Sequence, residues 1–254
     1  MYNLEETFPK IVTARASVAQ GQYEHALEIY SELLDIVNPD DESVPYLYVE
    51  YSNALIKNAN DYFMEEVAKI AESRGFNLLD RQNIEDDLES AWNLLEISKS
   101  AFTILRDDQQ LATTHFLLGE ISLLNNRYTE AIHDYTEAIN TYLKIYDEAS
   151  IELVDVYLSM ASSYEFSEDF DMAVFYCKKT INVYKRAEEA SVDPADKENL
   201  GGLISELLEK IKSLEVKKTL SEDVRMAETE EKIGEVEDNV VIDINTCKRR
   251  INKS

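Results

Sequence analysis

Glycine and proline are scarce, at 6 and 4 residues in a chain of 254. So few turn-formers cannot supply the many tight corners of an all-β protein, which leaves helices as the main element. Cysteine is scarcer still. Cys177 and Cys247 cannot build a disulfide framework, and with Cys177 at a buried-type helix position they suit a reducing compartment. No run of about 18 apolar residues is present to cross a bilayer, and the opening MYNLEETFPK has neither the basic nor the apolar region of a secretory signal. A soluble intracellular protein is expected. His25, His115 and His133 fall in different helical segments without cysteines at zinc-ligand spacing. A Walker loop, a G-x-G-x-x-G turn and a calcium-type D-x-[DN]-x-[DN]-G loop are all missing. No catalytic residue, metal or cofactor is therefore expected, and the chain reads as a binding protein rather than an enzyme. Basic residues are also few, 25 against 51 acidic ones, for a formal net charge of −26. A field of that sign repels nucleic-acid backbones and anionic membranes and attracts basic proteins. Neither nucleic acid nor membrane is expected as a partner.

What is present is a helix-pair pattern that returns four times. The clearest copy runs His115-x2-Leu118-Gly119-x2-Ser122, then Tyr128-x2-Ala131-x3-Tyr135-x2-Ala138. It resembles the tetratricopeptide pattern W-x2-L-G-x2-Y followed by A-x3-F. Such repeats stack into a solenoid whose concave wall is formed by the first helix of each pair. The expected fold is all-α, four helix pairs plus a capping helix, over residues 1–216. The repeats fall at about 8–38, 45–100, 109–146 and 151–187, with the cap at 195–216. Gly21 suits a left-handed helix stop between the first two helices.

The second repeat is split. Its first helix carries Tyr48, Tyr51, Ala54, Leu55 and Ala59, but the return helix resumes only at Asp87-Leu88-x2-Ala91-x3-Leu95-x2-Ser98. Residues 60–86 intervene, and Phe63, Val67 and Ile70 keep the helical spacing. The first helix is thus expected to run on to about Ser73, stop at Gly75 and return by a short loop. The insertion is acidic through Glu65, Glu66, Glu72, Asp80, Glu85 and Asp86. From residue 217 to 254 apolar residues thin out, acids dominate to Asp243, and the end is Lys248-Arg249-Arg250-x2-Lys253. By composition this is a disordered tail, and its basic cluster matches a short import signal.

Asp87-Leu88-Glu89-Ser90-Ala91-Trp92-Asn93-Leu94-Leu95-Glu96-Ile97-Ser98-Lys99 resembles the L-x-x-A-W-x-x-L-x-x-A-[KR] helix of NASP-type histone chaperones, the SHNi-TPR family. There the second tetratricopeptide unit is split by an acidic segment. Leu118-Gly119-Glu120-Ile121-Ser122 is similar to the family's L-G-E-V-S. The insertion is shorter and less acidic here than in animal relatives, which puts in doubt its use as a separate binding arm. The resemblance implies a nuclear chaperone, shuttling with the cytoplasm, that holds histone H3 or H3–H4 before chromatin assembly. A histone acetyltransferase complex and a homodimer are further partners left open. Carried over residue by residue, Glu120 and Asp155 match the family's acidic histone contacts, and Tyr157, Leu158 and Ser162 fall at or beside its aromatic and aliphatic ones. Leu124 and Leu158 depart from the pattern, standing where relatives have an acid and an aromatic. Helical spacing places Phe116 and Glu165 on the same groove. Two other readings stand beside this one. One is a scaffold of a larger complex without histone specificity. The other is an adaptor clamping a terminal carboxylate, for which Arg15 and Asn53 are suited but Ile11, Thr113 and Leu117 are not.

Overall fold

The computed structural model describes the backbone of residues 2–71 and 78–251, and the side chains of 2–66, 68, 81–223 and 226. Every element among these residues is helical, so the fold is all-α. A short α1 (Leu4–Thr7), not anticipated from the sequence, precedes four antiparallel pairs. These are α2 (Ile11–Ala19) with α3 (Tyr23–Ile36), α4 (Val44–Ala71) with α5 (Leu78–Leu105), α6 (Asp108–Leu124) with α7 (Tyr128–Tyr142), and α8 (Val154–Phe166) with α9 (Phe170–Ala190). A 3₁₀ turn (Ile151–Leu153) leads into α8, and α10 (Pro194–Ile251) closes the series. No helix among the described residues is long and apolar enough to cross a membrane.

Three of the four pairs share one backbone turn, which the side chains disguise. Gly21 ends α2 with φ 71°, and Asn126 and Glu168 hold the same left-handed conformation at the ends of α6 and α8 (58° and 61°). In each case the next amide bonds back five residues, from Gln22 to Ser17, Arg127 to Ser122 and Asp169 to Tyr164, at 2.8–2.9 Å. That closes the last open carbonyls of the first helix and reverses the chain. Only the first copy uses glycine, so only the first was legible as a stop. Arg106 repeats the geometry after α5 (φ 55°).

Small residues then set the distance between paired helices. Ala26, Ala91, Ala131 and Ala173 are fully buried, and four residues on Tyr30, Leu95, Tyr135 and Cys177 are buried with them. The Tyr135 ring lies so close to Gly119 that a Cβ there would sit 2.4 Å from the ring. Two continuous cores result, one centred on Ile11, Leu47, Leu88 and Leu118, the other on Tyr135, Leu153, Tyr157 and Leu214.

The insertion is helical from both sides. The first helix of repeat two runs on to Ala71, close to the expected end, while its partner begins at Leu78, earlier than the expected Asp87. Ser73 and Gly75 lie outside the described residues. Past Val216 α10 continues unbroken to Ile251, where composition places a disordered tail. Glu, Lys, Ala and Met are strong helix formers, and no proline follows Pro194. Lys218 still reaches the body of the fold, bonding Asp171 at 2.7 Å. Repeat three ends as a helix at Tyr142, and Tyr146 packs on Tyr142 from the turn that follows.

Candidate functional site

The first helices of the pairs line one another, so α2, α4, α6 and α8 share a groove with α1 at its end. It holds a cavity of about 410 Å³ bordered by Arg15, Asn53, Lys57, Phe116, Tyr142 and Asp155, among others. Two of the sequence-derived residues, Phe116 and Asp155, meet there. Asp155 is exposed at the first turn of α8, and the Phe116 ring leans on Tyr135 with centroids 5.9 Å apart. Thr113 hydrogen-bonds the Tyr142 hydroxyl at 3.1 Å across the same wall.

The groove floor is built from carboxylate–tyrosine ties that no motif announces. In repeat one, Arg15 donates to both oxygens of Glu50, through Nε at 3.0 and 3.2 Å and Nη2 at 2.6 Å, and through Nη1 to Glu5 at 2.7 Å. The buried Tyr30 hydroxyl donates to the same Glu50 at 2.9 Å. Burial, with the Glu50 charge adding to it, pushes the Tyr30 phenol far up. In repeat three Glu120 plays the Glu50 part, accepting from Tyr135 at 2.7 Å and from Ser159 of α8 at 2.6 Å. Burial raises the Glu120 carboxyl, the Ser159 and Tyr135 hydrogen bonds pull against it, and Asp155 adds to the rise. Both ties bind consecutive first helices together, so Glu120 is half-buried in the framework that lines the groove.

Other expected residues lie elsewhere. Tyr157 is buried away from the groove, donating to the Glu148 carbonyl at 3.1 Å beneath Lys179; burial lifts its phenol to about 12. Leu158 and Ser162 are half-buried, Leu158 against the second core. Glu165 is drawn toward the cap. Its side chain is 11% exposed and is paired by Lys210 and by Lys217 (2.5 Å), both on α10. Burial opposes its charge, but the two lysines outweigh that and hold the carboxyl below its ordinary value. In the insertion Glu66 is buried and bonded by the Tyr62 hydroxyl at 3.1 Å, Glu85 pairs with Arg81 at 3.0 Å, and Asp86 accepts from Gln82. Glu65 is exposed and lines a larger polar cleft of about 860 Å³ between the α2–α3 turn and the α4–α5 extension. Glu72 and Lys253 lie outside the described residues, as do the side chains of Asp80, Lys248, Arg249 and Arg250. Trp92, for which a core position is the common expectation, is 43% exposed on α5. Among the described residues no three His, Cys, Asp or Glu side chains are grouped to hold a metal.

Four helix pairs, a turn shared by three of them and a groove lined by the first helices define a tetratricopeptide-type solenoid. The SHNi-TPR family model matches residues 112–148, the third repeat and the turn beyond it. The chain is 27% identical over 108 residues to the nuclear autoantigenic sperm protein of Bos taurus, covering 39% of this chain and 13% of that protein. It is 22% identical over 103 residues to histone-binding protein N1/N2 of Xenopus laevis, covering 39% of this chain and 18% of that protein. The chain thus spans under a fifth of the length of either relative. These matches agree with the resemblance to the NASP-type histone chaperone family. In fold the chain is also similar to BtubC (BKLC) from P. vanneervenii, with a TM-score of 0.51, 17% identity, and 88% and 85% of the two chains covered.

Proposed function

We propose that this protein is a histone chaperone that holds H3 or H3–H4 in the groove of α2, α4, α6 and α8. The observation that carries this is that the exposed Asp155 carboxylate and the Phe116 ring line one cavity of the groove, in a chain of net charge −26. Histones are basic and expose apolar helices when unpaired. A shield for them needs acidic charge for attraction and apolar surface for specificity. The relative named a histone-binding protein supports the same partner. Asp155→Lys is expected to weaken H3–H4 binding about tenfold, or ~1.4 kcal/mol. The change sits on an exposed first-turn position and should leave the circular dichroism spectrum unaltered. An unchanged affinity in a titration at physiological salt would remove Asp155 from the site.

A nuclear location accompanies this reading, with Lys248, Arg249, Arg250 and Lys253 as the import signal. Deleting residues after Asn245 should shift a fluorescent fusion toward the cytoplasm. Undiminished nuclear accumulation would acquit the tail.

An adaptor reading has one observation in its favour: Asn53 and the exposed Lys57 line the same groove as Arg15. Arg15, however, is already held by Glu50 and Glu5, so a carboxylate ligand would have to displace two others. A histone acetyltransferase complex as a further partner, and self-association into a dimer, would each show as added mass in sedimentation.

A further inference from the structure

A second recessed site lies away from the groove, on the outer side where second helices face outward. A cavity of about 390 Å³ opens between α5 and α7, with the Trp92 ring on one wall and Glu130, His133 and Asp134 on the other. Trp92 is the only tryptophan of the chain. Leaving it 43% exposed forgoes the burial that such a ring would contribute in either core. Asp134 is the complementary oddity. Its side chain is only 22% exposed, yet no hydrogen-bond donor among the described residues reaches it. Across from it stands the ring atom His115 Nδ1 at 4.0 Å, itself buried without a hydrogen-bond partner among the described residues. Glu130 is already paired, with Arg127 at 3.1 Å. A mostly enclosed carboxylate with open lone pairs therefore faces the same hollow as an uncovered indole.

We propose that this hollow receives an arginine side chain of a protein partner. The planar guanidinium can stack on the Trp92 face while its N–H groups donate in parallel to the Asp134 oxygens. Lysine offers a compact, strongly hydrated charge that cannot do both, so arginine is preferred. The site is separate from the groove, and its evidence does not rest on the histone reading. Because Trp92 is the only tryptophan, its fluorescence reports this hollow alone.

The test titrates the full chain with three short capped peptides that differ at one position: arginine, lysine, or citrulline, the uncharged isostere of arginine. The arginine peptide should change Trp92 emission saturably. Lysine should bind more weakly, citrulline at least about tenfold more weakly, and Asp134→Asn should weaken the arginine peptide by a similar factor. The peptide series on the unmutated protein stands even if that variant misfolds. No saturable response to arginine, or equal responses to arginine and citrulline, would overturn the proposal. Equal responses to arginine and lysine would overturn the stacking argument and leave general attraction to an acidic surface. An Asp155→Lys protein should respond as the unmutated one does, which separates failure here from failure of the groove.

Discussion

Replacing Glu120 with lysine should destabilise the protein by about 3–5 kcal/mol, whereas replacing it with glutamine should cost little. The carboxylate is enclosed where α6, α7 and α8 meet and accepts from Tyr135 and Ser159. A lysine there strips both hydroxyls of their acceptor and buries an unpaired cation, at a cost of about 3–5 kcal/mol. That is a large share of the ~5–15 kcal/mol by which a domain is stable. Glutamine keeps an oxygen for Tyr135 and can donate to the Ser159 oxygen. The pH dependence sharpens the contrast. Because burial raises the folded-state carboxyl above its unfolded value, the fold holds the proton more tightly than the unfolded chain. Stability from this group is then fully present below the unfolded value and is lost as pH rises through the raised one. Glu120→Gln removes that loss, so the variant should equal or exceed the parent at pH 7, and its advantage should shrink on acidification. Denaturant melts at several pH values measure this. A Glu120→Lys protein as stable as the parent would place the residue at the surface, where the family resemblance puts it.

A chain ending at Ser191 should fail to fold, while one ending at Glu222 should keep the solenoid. Helix α10 buries Ile204, Ile211 and Leu214 against the last pair. At about 1.5–3 kcal/mol each, these three side chains contribute on the order of 5–9 kcal/mol, comparable to the whole stability. The same cut strips Glu165 of both its lysine partners, Lys210 and Lys217. Loss of the cooperative transition in the shorter chain, with retention in the longer, would divide α10 into a structural cap and a dispensable remainder. A cooperative melt from the Ser191 chain would show that the fourth pair closes the core by itself.

The repeats were legible because they rest on side-chain size at fixed spacing. Ala26, Ala131 and Ala173 mark close helix approach in any sequence that carries them, and all three are buried. The groove was legible in outline: helical spacing points Phe116 to it and the family resemblance supplies Asp155, and both line the same cavity. What was hidden is what lies across the chain. Glu120 and Asp155 look alike in the sequence, yet one is half-buried and held by a tyrosine from α7 and a serine from α8 while the other is open to solvent. Tyr157 stands two residues from Asp155, and in a helix that spacing turns the side chain to a different face. Glu165 answers to lysines 45 and more residues away, a pairing that no local pattern encodes. Trp92 misleads for the opposite reason: its type argues for burial, while its position on the outer side of α5 leaves it half-open.

The central claim is that a shaped groove, and not acidity alone, selects the partner. It is tested most directly by retention of H3–H4, the other core-histone dimer and a basic non-histone protein on the full chain across rising salt. Contacts between exposed charges are screened within about 8–10 Å at moderate ionic strength, whereas buried apolar contacts persist. The groove account expects H3–H4 to remain bound after the other two have been washed away. Equal capture of all three, lost together as salt rises, would contradict it.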